Sequence, residues 1–310
     1  MKNLKSKPSI KDGFSKIIAH YSYILVFVVI LAIYAITSQG GLTWSGVMNI
    51  FRHSTVIGIM GLGMGIVCLT GEIDLSVGSM LAMVSGFSVV IFNSTGSIIL
   101  TLLFSILFGA LLGFVNGFLV GGVKMPAFIV TLATMLIFRS FSQWLCQQLP
   151  KEMIGGGSSV YKMSTQADSY QTLYNFGNGK LATLPIVGIV LVIITVLFVF
   201  LASSTKYGKK VYAVGSNAKA AEMAGVNVSA IKISVFVIAG IMVGIGSFVW
   251  IAMNASSDPA TTGSSYEMYA IAAVVLGGIA MSGGKGNTLG VLFGAMSYTI
   301  IDKIIVALKM

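Results

Sequence analysis

Apolar residues run along this chain in long unbroken stretches, and the polar positions fall between those stretches. Residues 75–123, 181–205 and 233–257 contain no Asp, Glu, Lys or Arg at all. A helix needs about 20 predominantly apolar residues to cross a bilayer, so each stretch is long enough to cross. The pattern predicts nine apolar segments, at residues 21–38, 54–70, 75–92, 98–120, 127–147, 183–203, 230–253, 266–281 and 288–308. A short half-polar piece at 44–52 precedes the second, with Trp44 suited to the membrane interface. The fold class expected is an all-α polytopic membrane protein.

Composition agrees. Of 310 residues, 56% are hydrophobic and 9% charged, against about 25% charged in ordinary soluble domains. The net charge of +10 would suggest a nucleic-acid partner in a soluble chain, but its placement argues for a membrane surface and against nucleic acid. Lys2, Lys5, Lys7, Lys11 and Lys16 stand against Asp12 alone in the tail at 1–20, and Lys206, Lys209, Lys210, Lys219 and Lys232 against Glu222 near 204–229. Lysine-rich short segments face the cytoplasm beside anionic lipid. The tail and residues 204–229 are therefore expected inside and the polar stretch 148–182 outside. Residues 21–310 form one transmembrane domain. Six crossings return the chain to the inside at 204–229, so parity and charge agree. Residues 21–38 lack a small-residue cleavage signature and read as a retained first helix rather than a signal peptide. Cys68 and Cys146 lie in apolar segments, and His20 and His53 have no ligand cluster around them. No disulfide, metal or cofactor is expected.

The chemistry concentrates between the second and third segments, where Glu72, Asp74 and Ser76 lie between Gly71 and Gly78. A charge at membrane depth costs at least about 2.5–3.5 kcal/mol, so it faces protein or a water-filled path. Gly58, Gly61, Gly63 and Gly65 lead up to it, a pattern of close helix approach or of a broken helix beside a transport path. The plainer alternative puts both carboxylates in a water-facing turn. Asn116, within the fourth segment, needs a partner in the bundle, and Arg139, more than halfway along the fifth, is expected to pair with Asp74 or Glu72. Pro126 opens that fifth helix. On the cytoplasmic side, residues 217–225 read as a short helix, with Asn217 as N-cap, Ala220, Ala221 and Ala224 as a low-profile face, Glu222 beside them and Gly225 as the stop. Ser229 is expected to cap the seventh segment. So short a helix needs a surface to pack on. Gly155-Gly-Gly157 reads as flexibility. The cluster at 282–287 fails the phosphate-loop spacing, because the position five before Gly284 is Ile279. No ATP site is read in the chain.

These residues resemble a known family. Thr70-Gly-Glu-Ile-Asp-Leu-Ser-Val-Gly78 is similar to the acidic signature of ribose-type sugar permeases of ABC importers. Pro126-Ala-Phe-Ile-Val-Thr-Leu-Ala-Thr134 resembles the start of their fifth helix, with Arg139 where an Arg is found there. The runs 207–217 and 220–225 resemble their cytoplasmic coupling segment, and 266–278 with 282–286 their C-terminal signature. The resemblance covers residues 44–308. It implies a homodimeric permease of about ten helices per subunit, similar to the vitamin B12 importer, in the bacterial cytoplasmic membrane. It also implies two ATPase subunits below and an extracytoplasmic sugar-binding protein above. Glu72 stands where such permeases often have Gly, so no role carries over to it. Members usually continue past the ninth segment into one further helix, so either truncation before that helix or a re-entrant late segment is expected here, truncation being favoured.

The leading function is therefore the membrane subunit of an ATP-driven monosaccharide importer, itself catalysing nothing. Related permeases for nucleosides, branched-chain amino acids or a signalling furanone are near alternatives. An ion-coupled carrier using Glu72 or Asp74 is a more distant one, and a membrane scaffold the least favoured.

Overall fold

A computed structural model describes residues 21–38, 41–156 and 159–308, so the tail at 1–20 and Gly157 lie outside the described residues. The described residues form twelve α-helices: α1 (Ser22–Thr37), α2 (Trp44–Leu69), α3 (Val77–Thr95), α4 (Ile98–Gly117), α5 (Ala127–Gln148), α6 (Tyr170–Asn178), α7 (Ile186–Ser204), α8 (Lys206–Ser216), α9 (Ala218–Met223), α10 (Val228–Asn254), α11 (Tyr266–Leu276) and α12 (Leu289–Ala307). Among the described residues, seven helices are long and apolar enough to cross a membrane: α2, α3, α4 with its π-helical continuation Phe118–Gly122, α5, α7, α10 and α12. The chain is a multi-pass membrane protein. Helices α1 and α11 are apolar but shorter, at 16 and 11 residues.

Helix α2 runs unbroken from Trp44 to Leu69, so the half-polar piece at 44–52 is its first two turns and not a separate segment. Its glycines break nothing. Gly63 lies against the backbone of Ala239 in α10, Gly61 against Ala273 and Val291, and Gly58 against Leu191. With no side chain at these positions, four neighbouring helices approach α2 closely, and every residue from Ser54 to Leu69 is buried. Helix α10 packs along α2, α3 and α4. Against α4 the contact is backbone to backbone: a Cβ at Gly109, Gly113, Gly117 or Gly121 would meet the carbonyl of Gly240, Phe236, Ile233 or Ser229, respectively. Sequence reasoning did not single out this four-residue glycine spacing.

The eighth segment is shorter than its hydropathy suggests. Only Tyr266–Leu276 is helical, because residues 258–265 form turns before it and Gly278 (φ 82°) leads into further turns after it. The stretch at 148–182 is folded rather than loose. It holds α6 and β1 (Tyr161–Lys162), which pairs antiparallel with β4 (Ser256–Ser257). Strands β2 (Lys180–Leu181) and β3 (Leu184–Pro185) close a hairpin before α7. Gly155 makes a tight turn against the Lys162 carbonyl. Asn227, not Ser229, caps α10, its Oδ1 accepting from the Ala230 amide at 2.9 Å.

The two ends of the bundle differ. Lys124, Lys206, Lys209, Lys210, Lys219, Lys232 and Lys285 gather at one end, with Glu72 and Glu222. Helix α8 sits there because the phenol of Tyr212 donates to the Gly286 carbonyl (2.8 Å) and that of Tyr207 shares a hydrogen bond with Ser234 (2.8 Å). Burial pushes both phenols above their ordinary range, so each stays neutral. At the opposite end Arg52 donates to the Asn178 side chain of α6.

Candidate functional site

Three of the polar residues predicted from sequence, Glu72, Asp74 and Ser76, fall in a seam, a break where the chain is not helical. Helix α2 stops at Thr70, whose hydroxyl turns back to the Val67 carbonyl (2.7 Å), and Gly71 (φ 80°) takes the left-handed conformation that continues the turn. Residues 72–74 are unwound, and α3 starts at Val77. At the basic end of this break Glu72 forms an ion pair with Lys232 of α10, the one ion pair among the described residues. Both border a cavity of about 320 Å³ together with Lys124 and Glu222. The structure thus brings Glu222, expected on the coupling segment, to the same cavity as Glu72.

Asp74 lies deeper and is fully buried. Its Oδ1 accepts from the Ser76 amide (2.9 Å) and hydroxyl (2.6 Å), and Asn116 of α4 donates through Nδ2 to the Ser76 Oγ (2.8 Å). Asp74, Ser76 and Asn116, three of the predicted residues, therefore form one connected group. Asp74 Oδ2 and Asn116 Oδ1 have no donor among the described residues.

Arg139 does not join them. Its Nη1 donates to the carbonyls of Pro259 (3.1 Å), Ala260 (3.5 Å) and Thr262 (2.5 Å), holding the turn before α11. The pairing of Arg139 with Asp74 or Glu72 is corrected on this geometry: Glu72 has Lys232, Asp74 has its own turn, and the guanidinium fork suits several carbonyls at once. The turn that Arg139 holds also meets the seam. A Cβ on Gly78, in the first turn of α3, would strike the Gly263 carbonyl and the Glu267 carboxylate. Glu267 is 9% exposed, near enough to Arg139 for their charges to act on each other. Sequence reasoning passed over it as part of an apolar segment. The available signal was a lone carboxylate in the first turn of such a segment, where an N-terminal helix dipole favours it.

At the basic end, α9 forms as its residues dictate. Asn217 accepts from the Ala220 amide (3.0 Å), and Gly225 (φ 83°) stops the turn. Ala221 packs into the protein's own core at 5% exposure, which corrects its expected place on a partner-facing surface. Ala220, Glu222, Met223 and Ala224 are exposed, Met223 at 90%. The preceding helix reaches the seam: Gly215 abuts the Leu69 carbonyl, which accepts the Gly284 amide at 2.9 Å. Among the described residues no cluster of three His, Cys, Asp or Glu could hold a metal ion.

Residues 46–310 match the family model described as "Branched-chain amino acid transport system / permease component". The chain belongs to this family. Among its relatives, the ribose import permease protein RbsC of Bacillus subtilis is 34% identical, over 92% of this chain and 83% of its own length. The probable ABC transporter permease protein YphD of Escherichia coli is 31% identical over 97% and 86%. The xylose transport system permease protein XylH of Escherichia coli is 32% identical over 89% and 84%. No solved structure matches the chain. The family match takes in the whole seam, from α2 through the turn at 282–286.

Proposed function

We propose that this chain is the permease subunit of an ATP-driven importer that carries a monosaccharide across the bacterial cytoplasmic membrane by alternating access. The observation that carries this reading is the similarity, over about nine tenths of the chain, to permeases named for ribose and for xylose. The substrate class follows from those two names, a pentose being the natural first candidate. The lysine-rich end faces the cytoplasm, with the N-terminus on the same side, and receives the ATPase subunits on α9. The end bearing α6 receives an extracytoplasmic sugar-binding protein, and a second copy of the chain completes the channel. ATP hydrolysis belongs to the partner. In this chain, Glu72 and Lys232 close the seam on the ATPase side. Asp74, Ser76 and Asn116 form its buried polar lining, and Arg139 fixes the turn that lies across it. Each ligand shifts the inward and outward states by its difference in affinity for them.

Uptake of labelled ribose and xylose into vesicles containing permease, ATPase and binding protein tests the proposal. Uptake should require ATP and survive a protonophore. Uptake that persists without the ATPase and stops with the protonophore would instead make the buried Asp74 a proton site, and the chain an ion-coupled carrier.

A further inference from the structure

At the end of the bundle opposite α8 and α9, a cavity of about 160 Å³ opens between α2, α11 and α12. One wall is aromatic. Tyr269 and Tyr298 stack with ring centroids 4.6 Å apart, and Tyr266 tilts against Tyr269 at 5.3 Å. Trp250 props Tyr266 edge-on at 5.7 Å, so the wall is held from behind. The remaining lining includes His53, Asp302 and Lys303. Among the described residues none of these three forms an ion pair.

A monosaccharide carries an apolar C–H face and a rim of hydroxyls. Aromatic rings cover such a face, while charged groups make the stronger hydrogen bonds to hydroxyls. One water-sized centre needs about 10–15 Å³, so this volume admits on the order of ten non-hydrogen atoms, about one pentose and about half a disaccharide. We infer that this cavity is an outer transit site for a single monosaccharide, with the tyrosine wall against the sugar ring and Asp302, His53 and Lys303 taking its hydroxyls. The inference rests on the importer reading and adds to it a place and a size limit for the sugar.

The test has two readouts on the permease–ATPase complex. One is saturation-transfer NMR with D-ribose or D-xylose in the absence of binding protein. The other is sugar moved per ATP hydrolysed in vesicles with binding protein. Asp302→Asn and Tyr269→Leu should each lower both readouts about tenfold, and Tyr269→Phe, which keeps the ring, should recover most of the loss. Asp302 is exposed, so its amide variant tests the site even where Tyr269→Leu fails to reach the membrane. Wild-type import with Asp302→Asn and Tyr269→Leu unaltered in both readouts would overturn the site and leave the importer reading standing. The tyrosines would then be an interfacial aromatic belt. Absence of ATP-driven import of either sugar by the wild-type complex would instead sink the importer reading, and this site with it.

Discussion

Arg139, Glu72 and Asp74 show three ways of keeping a charged side chain inside an apolar bundle. Glu72 has an opposite charge, Asp74 a hydroxyl and an amide from its own turn, and Arg139 the backbone carbonyls of Pro259, Ala260 and Thr262. Those carbonyls sit in a turn that no helix satisfies, so the guanidinium supplies hydrogen bonds that the backbone cannot. Arg139→Ala should cost about 1–3 kcal/mol in thermal stability, the range for buried acceptors left unpaired. Hydrogen exchange at residues 258–263 should rise with it. Arg139→Lys should recover only part, since the lysine nitrogen sits one bond short of the Nη1 that makes all three contacts. Adding Asp74→Asn to Arg139→Ala should restore nothing. Restoration by that second change would show that the two side chains oppose each other's charge after all.

At the scale of single elements, α9 carries the clearest division of labour. Ala221 is packed inside and Met223 stands outside, two positions apart on a helix of six residues. Ala221→Trp should overpack the chain's own core and lower its stability by about 1–3 kcal/mol. Met223→Glu should leave stability unchanged while weakening co-purification of the ATPase and its stimulation by loaded binding protein. Normal ATPase binding and stimulation by the Met223→Glu protein would remove α9 as the docking element. The cap and stop of α9 were legible in the sequence because they are local: an Asn side chain bonded three residues on, and a glycine with positive φ. The group around Asp74 was legible in part, since buried polar residues in an apolar bundle must find one another. The inward face of Ala221 was not, because an alanine packs equally well on either side of a helix and only tertiary structure decides. The partners of Arg139 were hidden for a similar reason. Backbone carbonyls are present at every residue, and only the turn before α11 singles out three of them. That turn also shortens α11, which hydropathy alone could not show, because residues 277–281 stay largely apolar without being helical.

Across the whole molecule, α2 and α10 are enclosed, while α4 and α5 turn most of their surface outward, toward lipid or a second copy. The glycine row on α4 sets how these parts can move. At Gly113 a Cβ would run into the Phe236 carbonyl, so Gly113→Ile should force the two backbones apart and cost about 1–3 kcal/mol or more. Thermal unfolding of the purified variant measures this, and an unchanged midpoint would mean the row is not the bond it looks to be. Along this row the two backbones pack directly, flanked by the side chains of Ile233 and Phe236, so α4 and α10 are held as one close-packed pair. Outside this pair the backbone is already unwound at 70–76, at 258–265 and at 277–288, where rocking of the bundle costs the fewest helical hydrogen bonds. The second abuts the start of α3 just past the first, at Gly78 and Gly263, and the first and third meet at Gly71 and Gly283. Under the proposed function, the unwound stretches that meet along this seam would double as its hinges, and the permease would open along the line its cargo follows.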